Sequence, residues 1–219
     1  MKYAQQIPLP LLYKPANART DFYVSDCNKD ALKWIDSPDS WPCPMLLLLG
    51  PVASGKTHLA HIFTSNIYSA RNLTYDDEHL MPLVFALEDI DLPGVSEEVL
   101  FHIFNECMQH GQKILFTAKA MPLWHLNDLK TRMNTVPTVH IGLPDDVMLM
   151  SLILKGLNER QLDIDSYVID YILKHIERSF VAARRFVELS QSLSLAQKHP
   201  ITIHLAKQVL EQMKQEYLL

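Results

Sequence analysis

The octapeptide "GPVASGKT", Gly50 to Thr57, sets two glycines, a lysine and a hydroxyl at the spacing G-x-x-x-x-G-K-[ST]. Glycines let the backbone turn its amides inward around phosphate oxygens, the lysine adds a mobile positive charge, and the threonine hydroxyl reaches a Mg²⁺ ion. The loop predicts binding of ADP or ATP through Gly50, Pro51, Ala53, Ser54, Gly55, Lys56, Thr57 and His58, with Thr57 also serving Mg²⁺. A second cluster follows in "LVFALED", where an apolar run ends in Glu88 and Asp89. Hydrolysing ATPases place Asp first and Glu second at such a strand end. Here the order is exchanged: Glu88 is read as the Mg²⁺ carboxylate and Asp89 as the group that orients an attacking water. Slow hydrolysis is expected of this chain alone, and whether it works as an enzyme stays open.

These groups need elements to hold them. "MLLLL" (Met45 to Leu49) is apolar on both faces, the glycine loop follows it, and periodic residues run from His58 to about Tyr68. Strand, glycine loop and helix in that order open a buried parallel α/β sheet. Further strands are expected at 83–87, 113–118 and 138–142. A helix is expected from Ser96 as its N-cap to Gly111 just past its end. Only twelve residues separate Ala70 from Leu83, which predicts a trimmed sheet in that region. After Pro144, with Asp145 as a helix cap, the pattern turns wholly helical: 145–160, 165–177, 179–197 and about 202–217. The division is an α/β body over 12–143 and a small helical domain over 144–219, preceded by a separate peptide, 1–11.

Composition narrows the function. Twenty Lys and Arg stand against 25 Asp and Glu, a formal net charge of -5, which argues against strong autonomous binding of duplex DNA. No apolar run approaches the roughly 20 residues of a membrane span. "MKYAQQ" is not followed by an apolar signal core, so a cytoplasmic location is expected. Cys27, Cys43 and Cys107 are odd in number and scattered, unlike a disulfide framework or zinc knuckle. His58 and His61 lie three apart but lack a third ligand at a natural spacing. "QIPLPL" (Gln6 to Leu11) is stiffened by two prolines and is neither helix nor central strand. It is either an edge packed on the protein's own core or a docking segment for another protein.

Taken together, "GPVASGKTHLAHIF", "LEDI", "ILFTAKAMP", "DLKTRM" and "ERSFVAARRF" resemble AAA+ ATPases of the DnaA clade over nearly the whole chain, most closely the Hda-like regulators. The resemblance implies an αβα P-loop body with a parallel sheet, followed by a helical lid. It implies that Arg132 is an arginine finger acting in trans on ATP held by a neighbouring DnaA molecule, and that Arg178 is the sensor arginine of the lid. It also implies that "QIPLPL" is a form of the clamp-binding motif Q-L-x-L-P-L, with Gln6, Ile7, Leu9 and Leu11 contacting the polymerase sliding clamp (beta). The partners implied are the clamp and DnaA, with homo-oligomers possible and no membrane. Glu88 in place of aspartate and Lys119 near a position that is acidic in DnaA weigh against self-hydrolysis. DnaA itself fits poorly, because no room for a DNA-reading helix-turn-helix follows the lid. The competing reading is an ATP-consuming enzyme, such as a P-loop kinase or a helicase loader; the blandest is a degenerate nucleotide-binding scaffold.

Overall fold

The computed structural model describes residues 19–76, 81–197 and 199–216. The peptide Gln6–Leu11 lies outside the described residues. Five strands form one all-parallel sheet: β1 (Met45–Leu49), β2 (Ile67–Ser69), β3 (Val84–Glu88), β4 (Lys113–Ala118) and β5 (Thr138–His140), in the spatial order β2-β3-β4-β1-β5. All five residues of β1 are buried. They divide by parity, as side chains on a pleated strand must. Met45, Leu47 and Leu49 pack with Phe85, Leu87, Ile114 and Phe116 beneath α3 (Glu97–His110) and α4 (Asn127–Met133). Leu46 and Leu48 pack with Ala86, Leu115 and Val139 beneath α1 (Lys29–Ile35) and α2 (Lys56–Phe63). Helices therefore cover both faces, and this explains why β1 reads as a continuous apolar run.

Four more helices follow: α5 (Asp146–Asn158), α6 (Ser166–His175), α7 (Phe180–Gln197) and α8 (Ile203–Glu216). They enclose a core that includes Leu149, Ile153, Ile172, Phe186 and Val209. The caps expected from the sequence are formed. The Asp145 side chain accepts from Met148 N, the Ser96 side chain accepts from Val99 N, and Gly111 ends α3 at φ 65°.

The region after the glycine loop differs from expectation. α2 ends at Phe63, well short of Tyr68, and β2 occupies residues that were expected to be helical. Thr64 Oγ1 and Asn66 Nδ2 both donate to Val84 O, at 3.2 and 3.1 Å, and this draws the chain out of the helix and alongside β3. The sheet is trimmed by shortening: β2 has three residues, and a 3₁₀ turn at Ala70–Asn72 follows it. Two short helices, α1 and α4, were not expected.

Gly156 on α5 faces α7, where an added Cβ would lie 3.0 Å from both methyls of Val187. Gly156→Leu is expected to lower stability by about 1–3 kcal/mol through overpacking, measured as a reduced urea midpoint.

Candidate functional site

The glycine loop leaves the C-terminal end of β1, between its neighbours β4 and β5, at the kind of strand-order reversal where open α/β sheets place ligands. Gly50 N donates to Ala118 O at 3.2 Å, fixing the start of the loop to β4. An added Cβ on Gly50 would sit 2.9 Å from Ile141 Cβ and 2.9 Å from Ser54 Oγ, so no larger residue fits there. The loop turns through left-handed conformations at Ala53 (φ 62°) and Gly55 (φ 93°). The second costs little for glycine; the first is a strained position for alanine. Gly55 then caps α2, whose free N–H groups and dipole favour an anion.

Lys56 is buried and its Nζ donates to Gly50 O and Pro51 O, both at 2.9 Å, so the ammonium spans its own loop. Burial pushes its pKa below the ordinary lysine value. Asp89, Asp91 and Glu88 pull it back up, and Lys119 adds to the depression. A folded-state pKa below the unfolded one means that the folded chain holds this proton less tightly. The cost is present at neutral pH and is relieved only as pH climbs through the depressed value. An anion beside Lys56 would offset that cost. Ser54 Oγ is buried and has no hydrogen-bond partner among the described residues, a second polar atom in the loop that a phosphate oxygen would satisfy. The loop residues thus fit a nucleotide phosphate.

The acids lie at the same end of the sheet. Glu88 ends β3 and is half-buried; Asp89 follows it, exposed, at φ 58°. Asp89 N donates to Thr117 Oγ1 at 3.1 Å, and Lys119 N donates to Asp91 Oδ2 at 3.0 Å, so both acids are braced against the end of β4. Thr57, in the first turn of α2, is exposed. A hydroxyl and a carboxylate are hard oxygen ligands suited to Mg²⁺.

Beside the loop is a cleft of about 90 Å³. Phe22, His58, Met148, Leu152 and Phe180 line it together with the loop itself. Phe22 meets the His58 ring edge-on at 5.1 Å. Phe22 reaches the cleft because the buried Asn28 side chain staples the preceding turn, accepting from Ser25 N and donating to Tyr23 O. Lys155 Nζ donates to Asp21 O at 2.8 Å, joining α5 to that segment. A mostly apolar cleft with aromatic walls next to a phosphate loop suits an aromatic base. Sequence reading identified the loop and His58 but missed Phe22, Lys155 and Phe180. The one available signal was the aromatic pair in "DFYVSDCN".

The two arginines lie elsewhere. Arg178 precedes α7 and pairs with Asp146 at the start of α5 (Nη1 to Oδ1, 2.8 Å), with both side chains more than half exposed. Arg132 is exposed on α4, its Cζ 5.0 Å above the Phe101 ring and 5.8 Å from that of Phe104. Neither lines the cleft.

No protein-family model matches the chain. The chromosomal replication initiator protein DnaA of Flavobacterium psychrophilum is 25% identical over 198 residues, covering 76% of this chain and 41% of that protein. The chain spans about half the length of the curated relatives it matches. Among solved structures, domain III of Thermotoga maritima DnaA superposes with a TM-score of 0.74 at 16% identity, over 91% of this chain and 97% of that one. A DnaA bound to AMPPCP and single-stranded DNA superposes at 0.63 with 19% identity, over 90% and 67%.

Lys56→Met is expected to weaken ADP and ATP binding about 10- to 100-fold, the loss of a hydrogen bond to a charged group. Titration with a fluorescent nucleotide measures it, with the far-UV spectrum unchanged.

Proposed function

We propose that this chain, a DnaA-related protein with the AAA+ fold, is a regulator of the Hda type. It holds ADP or ATP with Mg²⁺, docks on the polymerase sliding clamp through Gln6, Ile7, Leu9 and Leu11, and promotes hydrolysis of ATP bound to DnaA through Arg132. The outcome is prevention of re-initiation.

One observation carries the reading: Arg132 is exposed on a helix outside its own cleft, and among the described residues its guanidinium has no carboxylate partner. Arg178, Arg184 and Arg185, by contrast, are all paired with acids. A guanidinium that does not line the chain's own cleft and has no carboxylate partner among the described residues suits a neighbour's γ-phosphate, where charge develops in the transition state. In this reading the resident nucleotide is structural. The loop amides, Lys56 and Ser54 bind the phosphates, and Thr57 and Glu88 hold Mg²⁺, which neutralises phosphate charge. Asp89, exposed in a left-handed conformation, is a weak water-positioning group, in keeping with slow hydrolysis. Arg178 acts as the lid arginine once phosphate displaces Asp146.

The clamp peptide rests on residue types alone. Aliphatic residues alternating with Pro8 and Pro10 suit a hydrophobic groove, and proline's fixed φ reduces the entropy lost on docking.

Deleting residues 1–11 is expected to abolish clamp binding in a pull-down while leaving nucleotide affinity unchanged; retained clamp binding would remove this assignment. Arg132→Ala is expected to keep clamp and nucleotide binding but to lose stimulation of DnaA ATP hydrolysis, by up to about 10³- to 10⁵-fold. Turnover by the isolated chain at about one per second or faster would instead favour an ATP-consuming enzyme such as a helicase loader.

A further inference from the structure

α4 is seven residues long and cannot hold its own orientation, since helices this short are unstable alone. Its first helical N–H groups need a cap, yet Leu126 at the N-cap position offers no side-chain acceptor. α3 instead braces the two residues that lead into α4. Glu97 takes hydrogen bonds from Leu126 N at 2.6 Å and from His125 N at 2.9 and 3.0 Å, and its Oε1 lies 3.0 Å from His125 Nδ1. Burial would raise the Glu97 pKa, but these donors hold it below the usual carboxylate range. At the other end of α4, the Phe101 and Phe104 rings lie beneath the Arg132 guanidinium. Leu129 and Met133, fully or almost fully buried, fix α4 to the same core that holds Phe104.

Glu97, Phe101 and Phe104 stand at i, i+4 and i+7, so one stripe of α3 meets α4 at both ends. The inner stripe of the same helix, Val99, Leu100, Ile103 and Cys107, is fixed to the sheet. A ring face beneath the guanidinium attracts its charge without taking an N–H···O bond, whereas an ion pair would occupy those donors. The guanidinium is therefore confined in direction without being consumed as a donor.

Resting on the reading of Arg132 as a finger in trans, we propose that Glu97 and Phe101 are positioning residues for it. Glu97 fixes the helix that bears the arginine, and the Phe101 ring face restricts the arc of the side chain. They act through Arg132 and touch no phosphate themselves.

The test uses the full chain with ADP and clamp, and ATP-loaded DnaA as the acceptor of stimulation. The maximal rate and the half-saturating concentration are measured separately. Phe101→Leu removes the ring face and keeps an apolar side chain. It is expected to lower the maximal rate about two- to five-fold, with half-saturation and thermal midpoint little changed. Phe101→Tyr, which keeps the ring, is expected to restore the rate, and Glu97→Gln to lower it in the same way. If Arg132→Ala abolishes stimulation while Phe101→Leu matches the wild type, the positioning role is overturned and the finger stands. A faster Phe101→Leu would also overturn it, because the rings would then be holding the arginine back. If Arg132→Ala itself changes nothing, the functional reading falls first.

Discussion

The structure depends on β1 being buried on both faces. Its odd-numbered and even-numbered side chains belong to different cores, so slipping the strand by one residue would exchange every contact at once. That constraint fixes where the strand ends and hence where the loop begins. Gly50 has no freedom, because Ile141 from the β5 side and Ser54 from the loop itself close over it. The loop is thus shaped by the sheet, which allows its amides to converge and its lysine to remain desolvated. A buried ammonium resting on two carbonyls is tolerable only in a frame that rigid.

The arginines divide by the kind of contact each makes. Arg178 and Arg185 are tied to carboxylates on neighbouring helices and Arg184 to Glu188 on its own helix, surface ties of small energetic weight. Arg132 lies over aromatic faces, and among the described residues no acceptor takes its guanidinium donors. Conformational restraint and chemical availability usually oppose each other in a charged side chain; a cation over a ring face reconciles them.

The legible parts of the sequence were those in which local chemistry and tertiary role coincide. A doubly buried strand has an apolar run, a helix start has Ser96 or Asp145, and a helix stop has Gly111; each imposes its own residue type. β2 was not legible, because Ile67 and Tyr68 continue a helical period and the chain leaves the helix only through hydrogen bonds to Val84, far off in sequence. α1 and α4 were too short to establish a period. The cleft was half legible. The loop and His58 could be read from spacing, but Phe22 and Lys155 arrive through a contact between residues 134 positions apart, which no local pattern encodes. The arginine of "DLKTRM" was identified by resemblance alone, whereas the aromatic seat beneath it emerged only from the packing of α3 against α4.

Met148 and Phe180 belong to the helical unit in sequence but to the core of the α/β body in space, and the cleft lies beside them. The helical unit cannot swing away without wetting these two large side chains, at about 1.5–3 kcal/mol apiece. That cost acts as a hydrophobic latch. It favours the arrangement in which both side chains wall the cleft beside the phosphate loop.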